Sequence, residues 1–104
     1  MTEMRFEVMT PLGFTVRTSQ DYWQLILRKQ PEVGGLETKV RKCLHEPDII
    51  RRSARDPAVY LFYARLPSYM LAIVVKRLDH EGFVVTCYLT DRAKEGAQIW
   101  PASE

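Results

Sequence analysis

The chain has 104 residues, 46% of them apolar and 27% charged, a balance that suits one modest core burying about 65% of the surface the unfolded chain exposes. Fifteen basic and thirteen acidic side chains leave a net charge of +2, so the total does not advertise a nucleic-acid binder. The opening "MTEMRFEV" has no apolar signal run, and the longest apolar stretch, Tyr69 to Val75, is far too short to span a bilayer, so a cytoplasmic protein without membrane attachment is expected.

Two short strands, Arg5 to Met9 and Phe14 to Arg17, are expected on either side of "TPLG", whose proline and glycine supply a hairpin turn. Thr18, followed three residues later by Asp21, then predicts a capped helix running to about Lys29. Tyr22, Leu25, Ile26 and Lys29 fall along one side of it, with Trp23 and Leu27 beside them. Pro31 and the pair Gly34-Gly35 should end this element. A second helix is predicted from Leu36 to His45, where Leu36, Val40, Cys43 and Leu44 recur at helical spacing and Glu37 can pair with Arg41. Pro47 closes it, His45 is expected to play a terminal structural role, and Ile49 and Ile50 should tuck a connecting segment back onto the core.

The second half reads as sheet. Residues 59–65, 69–77 and 83–90 are rich in β-branched and aromatic side chains, and "LPS" and "LDHEG" separate them. Pairing Arg77 with Phe83 puts Leu71, Ile73 and Val75 on one face with Phe83, Val85, Cys87 and Leu89; the other face carries Ala72, Val74 and Lys76 with Val84, Thr86, Tyr88 and Thr90. "TDRAKEG" is expected to form a capped helical turn ended by Gly96, and Trp100 to plug one end of the core. The expected architecture is an α+β fold over residues 1–104 as a single domain, in which short N-terminal strands and two helices pack on a C-terminal antiparallel sheet.

Several chemistries lack their residue patterns. Asp48, Asp56, Asp79 and Asp91 are scattered over turns and caps, so no metal centre is predicted, and the glycines assemble no phosphate or dinucleotide loop, so no cofactor is expected. Ser53 and Cys87 have no histidine nearby in sequence, and Cys43 and Cys87 are expected as reduced core residues. What stands out is a local excess of positive charge: Lys39, Arg41, Lys42, Arg51, Arg52 and Arg55 against Glu46 and Asp48.

Metal-free RNA cleavage needs a proton taken from the 2′-hydroxyl, one given to the leaving oxygen, and cations around the crowded phosphate. Arg51, Arg52, Arg55, Lys76, Thr86, Tyr88 and Thr90 would supply phosphate-gripping and oxygen-orienting groups if the basic connection crossed the hydroxyl-bearing sheet face. Tyr60 or Tyr63, according to which way its strand faces, could stack an exposed base. Lysine and tyrosine titrate near pH 10 when unperturbed, so this composition favours phosphate recognition over efficient cleavage.

The ordered segments "DYWQLILRKQPEV", "CLHEPDIIRRSARDPAVYLFYAR", "YMLAIVVKR" and "EGFVVTCYLTDRAKEGAQIW" resemble the phage and bacterial barnase/EndoU/colicin/RelE-like nuclease domains over about Ser19 to Trp100. The resemblance implies an α+β ribonuclease- or toxin-like scaffold with a cleft near Ser53, Asp56, Lys76, Thr86, Tyr88 and Thr90. Such domains often carry histidines at the positions held here by Tyr22 and Gln30, a departure that removes the natural acid/base pair.

The reading that follows is a metal-independent endoribonuclease-like domain acting on RNA. Lys76, Thr86, Tyr88 and Arg51 are the expected catalytic groups; Arg52, Ser53, Arg55, Asp56 and Thr90 are the expected substrate contacts. The alternatives are an inactive RNA-binding domain, and a protein-interaction or regulatory domain docking through a strand edge or the first helix. RNA and an inhibitory or regulatory protein are the expected partners, with no membrane among them. The oligomeric state is left open.

Overall fold

A computed structural model describes residues 3–94 and 96–101. It is an α+β fold in which a seven-stranded mixed sheet carries its helices on one face. The strands are β1 (Met4–Met9), β2 (Thr15–Ser19), β3 (Ile49–Ser53), β4 (Val59–Arg65), β5 (Met70–Leu78), β6 (Glu81–Thr90) and β7 (Gly96–Trp100). Their order across the sheet is β1-β2-β6-β5-β4-β3-β7. Two α-helices, α1 (Gln20–Lys29) and α2 (Glu37–His45), are joined by a short 3-10 helix, Pro31–Leu36. Among the described residues no helix is long and apolar enough to cross a membrane.

The two helices form where the apolar periodicities predicted them, but α1 turns Trp23 and Ile26 inward and leaves Tyr22, Leu25 and Lys29 of the expected side exposed. Ser19, not Thr18, caps α1: its hydroxyl accepts the Tyr22 amide at 3.1 Å, whereas Thr18 still belongs to β2 and points inward. Pro31 and the two glycines do not simply stop the chain; they wind it into the 3-10 helix, which delivers Val33 to the core. Trp23 and Ile26 of α1, with Val40, Cys43 and Leu44 of α2, meet Phe6, Val16, Ile50, Phe62, Leu71, Ile73 and Val75 from the sheet in one core. Burying each such large side chain contributes about 1.5–3 kcal/mol.

The larger corrections concern the sheet. Residues 49–53 are not a loose connection: Ile50 pairs with Phe62 and Arg52 with Tyr60, making them a strand. The segment expected as a helical turn after Thr90 is a bend, in which the Thr90 hydroxyl donates to the Arg92 carbonyl at 3.0 Å. Gly96 then begins β7, and Trp100 is a partly buried strand residue against the core. A side chain at Gly96 would meet the Arg52 carbonyl, since a β-carbon there would lie 2.5 Å from it. The N-terminal strands also belong to the sheet. β2 runs parallel to β6, pairing Thr15, Val16 and Arg17 with Glu81, Gly82 and Phe83, so the sheet is mixed rather than purely antiparallel.

The β5–β6 hairpin follows the predicted register from Leu71↔Leu89 to Val74↔Thr86, then shifts by one residue so that Val75 faces Val84 and Lys76 faces Phe83. An extra residue in one strand of a pair is a β-bulge, which flips the facing of everything beyond it. Val84 therefore joins the core, while Phe83 crosses to the helix-free face. Both had been expected on the opposite sides, and the predicted core position of Val85 fails with them because it is the bulged residue and is exposed.

Two features of this packing lead to measurable consequences. Gly82 lies where a β-carbon would come within 2.9 Å of both the Phe14 ring and Val75, a close approach only glycine allows. Gly82→Ala should lower stability by about 1–3 kcal/mol through overpacking, read as a reduced denaturant midpoint at unchanged slope. On the helix layer, Arg5 donates to Glu37 from Nε at 2.9 Å and Arg41 from Nη2 at 3.2 Å. The hydrogen bond from Arg5 holds the Glu37 carboxyl below its ordinary range; partial burial opposes this, and the charges of Arg5 and Arg41 reinforce it. A depressed carboxyl pKa contributes stability that is present above the unfolded value and lost as pH falls through the folded one. Glu37→Gln should therefore flatten the decline of the melting temperature below about pH 4.3, the ordinary glutamate value.

Candidate nucleic-acid interface

The helix-free sheet face is built from alternate residues of all the central strands. Reading across the registers, one row runs Arg17, Phe83, Lys76, Val59; the next includes Thr86, Val74, Leu61, Arg51; a third includes Tyr88, Ala72, Tyr63, Ile49. Leu61, Tyr63 and Ala72 are buried here in a small second cluster, against which Tyr88, Val74 and Ala93 pack. The loop that follows β6 lies over that cluster: the Lys94 amide donates to the Tyr63 hydroxyl at 3.0 Å, and the Lys94 ammonium sits 5.6 Å from the centre of the Tyr88 ring.

Six of the residues singled out from the sequence share this face: Arg51, Ser53, Lys76, Thr86, Tyr88 and Thr90. They do not close on one point. Arg51 and Lys76 are two strands and two residues apart, which places their α-carbons roughly 12 Å from each other. Their side chains also have separate partners. Arg51 donates to the Lys94 carbonyl at 2.8 Å, towards the Tyr63 end of the face, whereas the Lys76 ammonium lies 3.5 Å from Asp56 in the β3–β4 turn. The Tyr88 hydroxyl and the Arg51 Nε are buried without a hydrogen-bond partner among the described residues.

The remaining expected contacts have structural surroundings. The Ser53 hydroxyl accepts the Arg55 amide at 3.2 Å, and the Asp56 carboxylate accepts the Ala58 amide at 2.9 Å, so the pair shapes the turn between β3 and β4. That amide bond is the main cause of a lowered Asp56 pKa; desolvation opposes it and Lys76 assists. Arg55 stands exposed on the same turn. Arg52 faces the opposite way, onto the helix side, where it meets Tyr60. The basic excess between residues 39 and 55 is thus divided between layers, since Lys39, Arg41 and Lys42 are exposed on α2.

Neither histidine hydrogen-bonds to a side chain of this face among the described residues. The His45 Nδ1 lies 2.9 Å from the Met9 carbonyl, at the end of α2, and His80 is exposed in the β5–β6 turn. Among the described residues, no three potential metal-ligating side chains gather at one place.

What the sequence did not reveal is the neighbourhood of Lys76. Phe83, on the adjacent strand, lies between Lys76 and Arg17, and the Arg17 guanidinium stacks 5.0 Å from the centre of its ring. Arg17 also pairs with Glu81 at 3.0 Å, so it has both an aromatic ring and a carboxylate for neighbours. Beside this row the sheet opens. β2 turns away into α1 after Ser19 while β6 bulges at Val85, and the separation leaves a pocket of about 530 Å³. Met4, Tyr22, Phe83 and Val85 give it apolar walls; Arg17, Thr18 and Ser19 supply the polar ones. Tyr22 spans the opening, donating its hydroxyl to the Val85 carbonyl at 2.8 Å. Among the described residues the buried Thr18 hydroxyl has no partner. A signal for this site existed in the alternation of "FTVRTS", which sends Arg17 and Ser19 to the side opposite Val16, but the strand that meets them is distant in sequence.

The arrangement can hold a planar apolar group in the pocket and an anion at its cationic rim. Compared with protein-family models, curated proteins and solved structures, the chain matches none, so the meaning of the site rests on this geometry.

Proposed function

We propose that this protein binds single-stranded RNA across the helix-free sheet face without cleaving it, on a scaffold of the endoribonuclease-like kind that its sequence segments resemble. The observation that carries the reading is the row of Arg17, Phe83 and Lys76 at the edge of the 530 Å³ pocket. Bases of a single strand are free to leave the helix axis, insert into apolar pockets and stack on aromatic rings or guanidinium planes, while lysine and arginine neutralise the phosphates between them. In this reading a base enters between Tyr22, Phe83 and Val85, and Arg17 and Lys76 meet the flanking phosphates. The strand residues of this face have a modest positive balance: Arg17, Arg51, Arg65 and Lys76 stand against Glu7 and Glu81 among the described residues.

Binding is favoured over cleavage because a proton must move in the reaction. The Lys76 ammonium has the Asp56 carboxylate as its partner at 3.5 Å, and the His45 ring lies against the Met9 carbonyl at the end of α2. A catalytic route through Lys76, Thr86, Tyr88 and Arg51 would have to draw together groups that occupy successive rows of the sheet.

The test is fluorescence anisotropy with short labelled single-stranded RNAs at several salt concentrations, alongside a gel assay in chelator. Wild-type protein should bind with an affinity that falls steeply with salt and should leave the RNA intact. Lys76→Ala should reduce the salt slope by about 0.7, the value for one phosphate contact on a single strand. Phe83→Ala should weaken binding by about 1–3 kcal/mol while the slope holds, as loss of a stacking contact does. Absence of saturable binding would remove the proposal, and a 2′,3′-cyclic phosphate product that disappears in Lys76→Ala would replace it with the cleavage reading.

A further inference from the structure

On the other side of the sheet, beyond the end of the helix layer, two guanidinium groups lie over a pair of packed aromatic rings. Tyr60 of β4 is buried, and its hydroxyl accepts a hydrogen bond from Arg52 Nη2, whose guanidinium carbon lies 5.0 Å from the centre of the same ring. Phe14, from the turn between β1 and β2, packs against Tyr60 with ring centres 5.5 Å apart. Arg77 of β5 places its guanidinium carbon 4.5 Å from the Phe14 ring and is anchored through Nε to the Asp79 carbonyl at 2.9 Å. Both arginines therefore lie over adjoining aromatic rings. The accompanying backbone is equally local: the Arg77 amide donates to the Ala58 carbonyl at 2.8 Å, and Arg52 pairs with Tyr60.

Like charges brought together are costly unless an anion joins them. The ion pairs formed among the described residues involve Arg5, Arg17, Arg41 and Lys76, and none supplies a carboxylate to Arg52 or Arg77. The Tyr60 hydroxyl already accepts from Arg52, and no acceptor for its own proton is present among the described residues. The cluster thus offers two guanidinium forks and one free hydroxyl proton, which is the donor set a tetrahedral oxyanion requires.

We propose that Arg52, Arg77 and Tyr60 form a subsite for a phosphate monoester, which bridges the two guanidinium groups and accepts the phenolic proton. A monoester fits better than a phosphodiester because two neighbouring guanidinium groups favour a concentrated double charge. Both rings are already covered by guanidinium groups, so the subsite grips the phosphate and leaves the rest of the ligand to solvent. The electrostatics of the phenol agree. Burial alone would push its pKa up, yet hydrogen bonding and charge from Arg52 and Arg77 outweigh this and hold it below the ordinary tyrosine value. The subsite lies on the opposite face from the Arg17–Phe83–Lys76 row and stands independently of the RNA reading.

The experiment is an NMR titration of the wild-type protein with inorganic phosphate at constant ionic strength, following the arginine Nε–H resonances and the ring carbon bearing the Tyr60 hydroxyl. Phenyl phosphate and dimethyl phosphate serve as monoester and diester probes. Saturable shifts at Arg52 and Arg77 are expected at millimolar phosphate, phenyl phosphate should behave like phosphate, and dimethyl phosphate should bind at least fivefold more weakly. The bound dianion should also raise the titration midpoint of Tyr60, a response that a purely structural tyrosine would not give. Arg77→Gln and Arg52→Gln should each raise the phosphate dissociation constant at least fivefold, with Arg77→Lys as a second variant that keeps the charge and loses the fork. Arg28→Gln, an exposed helix position, controls for general charge. Linear shifts without saturation, or saturation unchanged by both glutamine variants in folded protein, would overturn the proposal.

Discussion

The arrangement of this protein depends on three residues of parallel pairing, in which Thr15 to Arg17 of β2 lie beside Glu81 to Phe83 of β6. That contact attaches the N-terminal hairpin to the meander of β4, β5 and β6, and it decides where α1 and α2 come to rest. Its short length matters as much as its existence. β2 leaves the sheet into α1 immediately afterwards, β6 bulges at Val85, and the two departures together open the pocket beside Phe83. Gly82 at the centre of the pairing lets Phe14 and Val75 close over the backbone, so the same contact also builds one end of the core.

The two faces of the sheet consequently have different characters. Helices cover one with a continuous core from Phe6 to Cys87, and burial there drives the Cys87 thiol pKa up to about 12, with the charge of Glu32 adding to the effect, so this thiol is inert rather than nucleophilic. The other face is only partly covered, by the loop whose Lys94 amide reaches Tyr63, and it leaves Arg17, Phe83 and Lys76 beside open space. Cationic chemistry occurs on both sides, organised in each case by aromatic rings. Phe83 orients Arg17, Tyr60 orients Arg52, and Phe14 orients Arg77. A guanidinium packed over a ring has lost part of its conformational freedom before any ligand arrives, which lowers the entropy that binding must overcome.

Much of the secondary structure was legible because it follows from local period. The strand over residues 59–65 has the bounds its side-chain pattern predicts, the second helix ends at His45 as expected though it begins at Glu37 rather than Leu36, and the register from Leu71 to Val74 follows from alternation on both partners. The errors have a common physical origin in contacts between residues far apart along the chain. "IIRRS" carries too few apolar residues to announce a strand, and becomes one because β4 and β7 both hydrogen-bond to it. The facing of Phe83 could not be read because one bulged residue, Val85, reverses the alternation, and that bulge is associated with a hydroxyl from Tyr22 on a distant helix.

By itself, the amino-acid sequence determined the α+β class, the central hairpin strands and the apolar side of α2, since all of these express periodicities of a few residues. It also identified Lys76, Thr86 and Tyr88 as sharing a face. Only the tertiary structure decided which cations keep company: Arg51 turns to Lys94, Lys76 lies near Phe83, and Arg52 and Arg77 lie over the packed Tyr60 and Phe14 rings across the sheet from both. The reason is that a side chain's neighbours on adjacent strands are set by long-range register and bulges, which no local pattern of residues encodes.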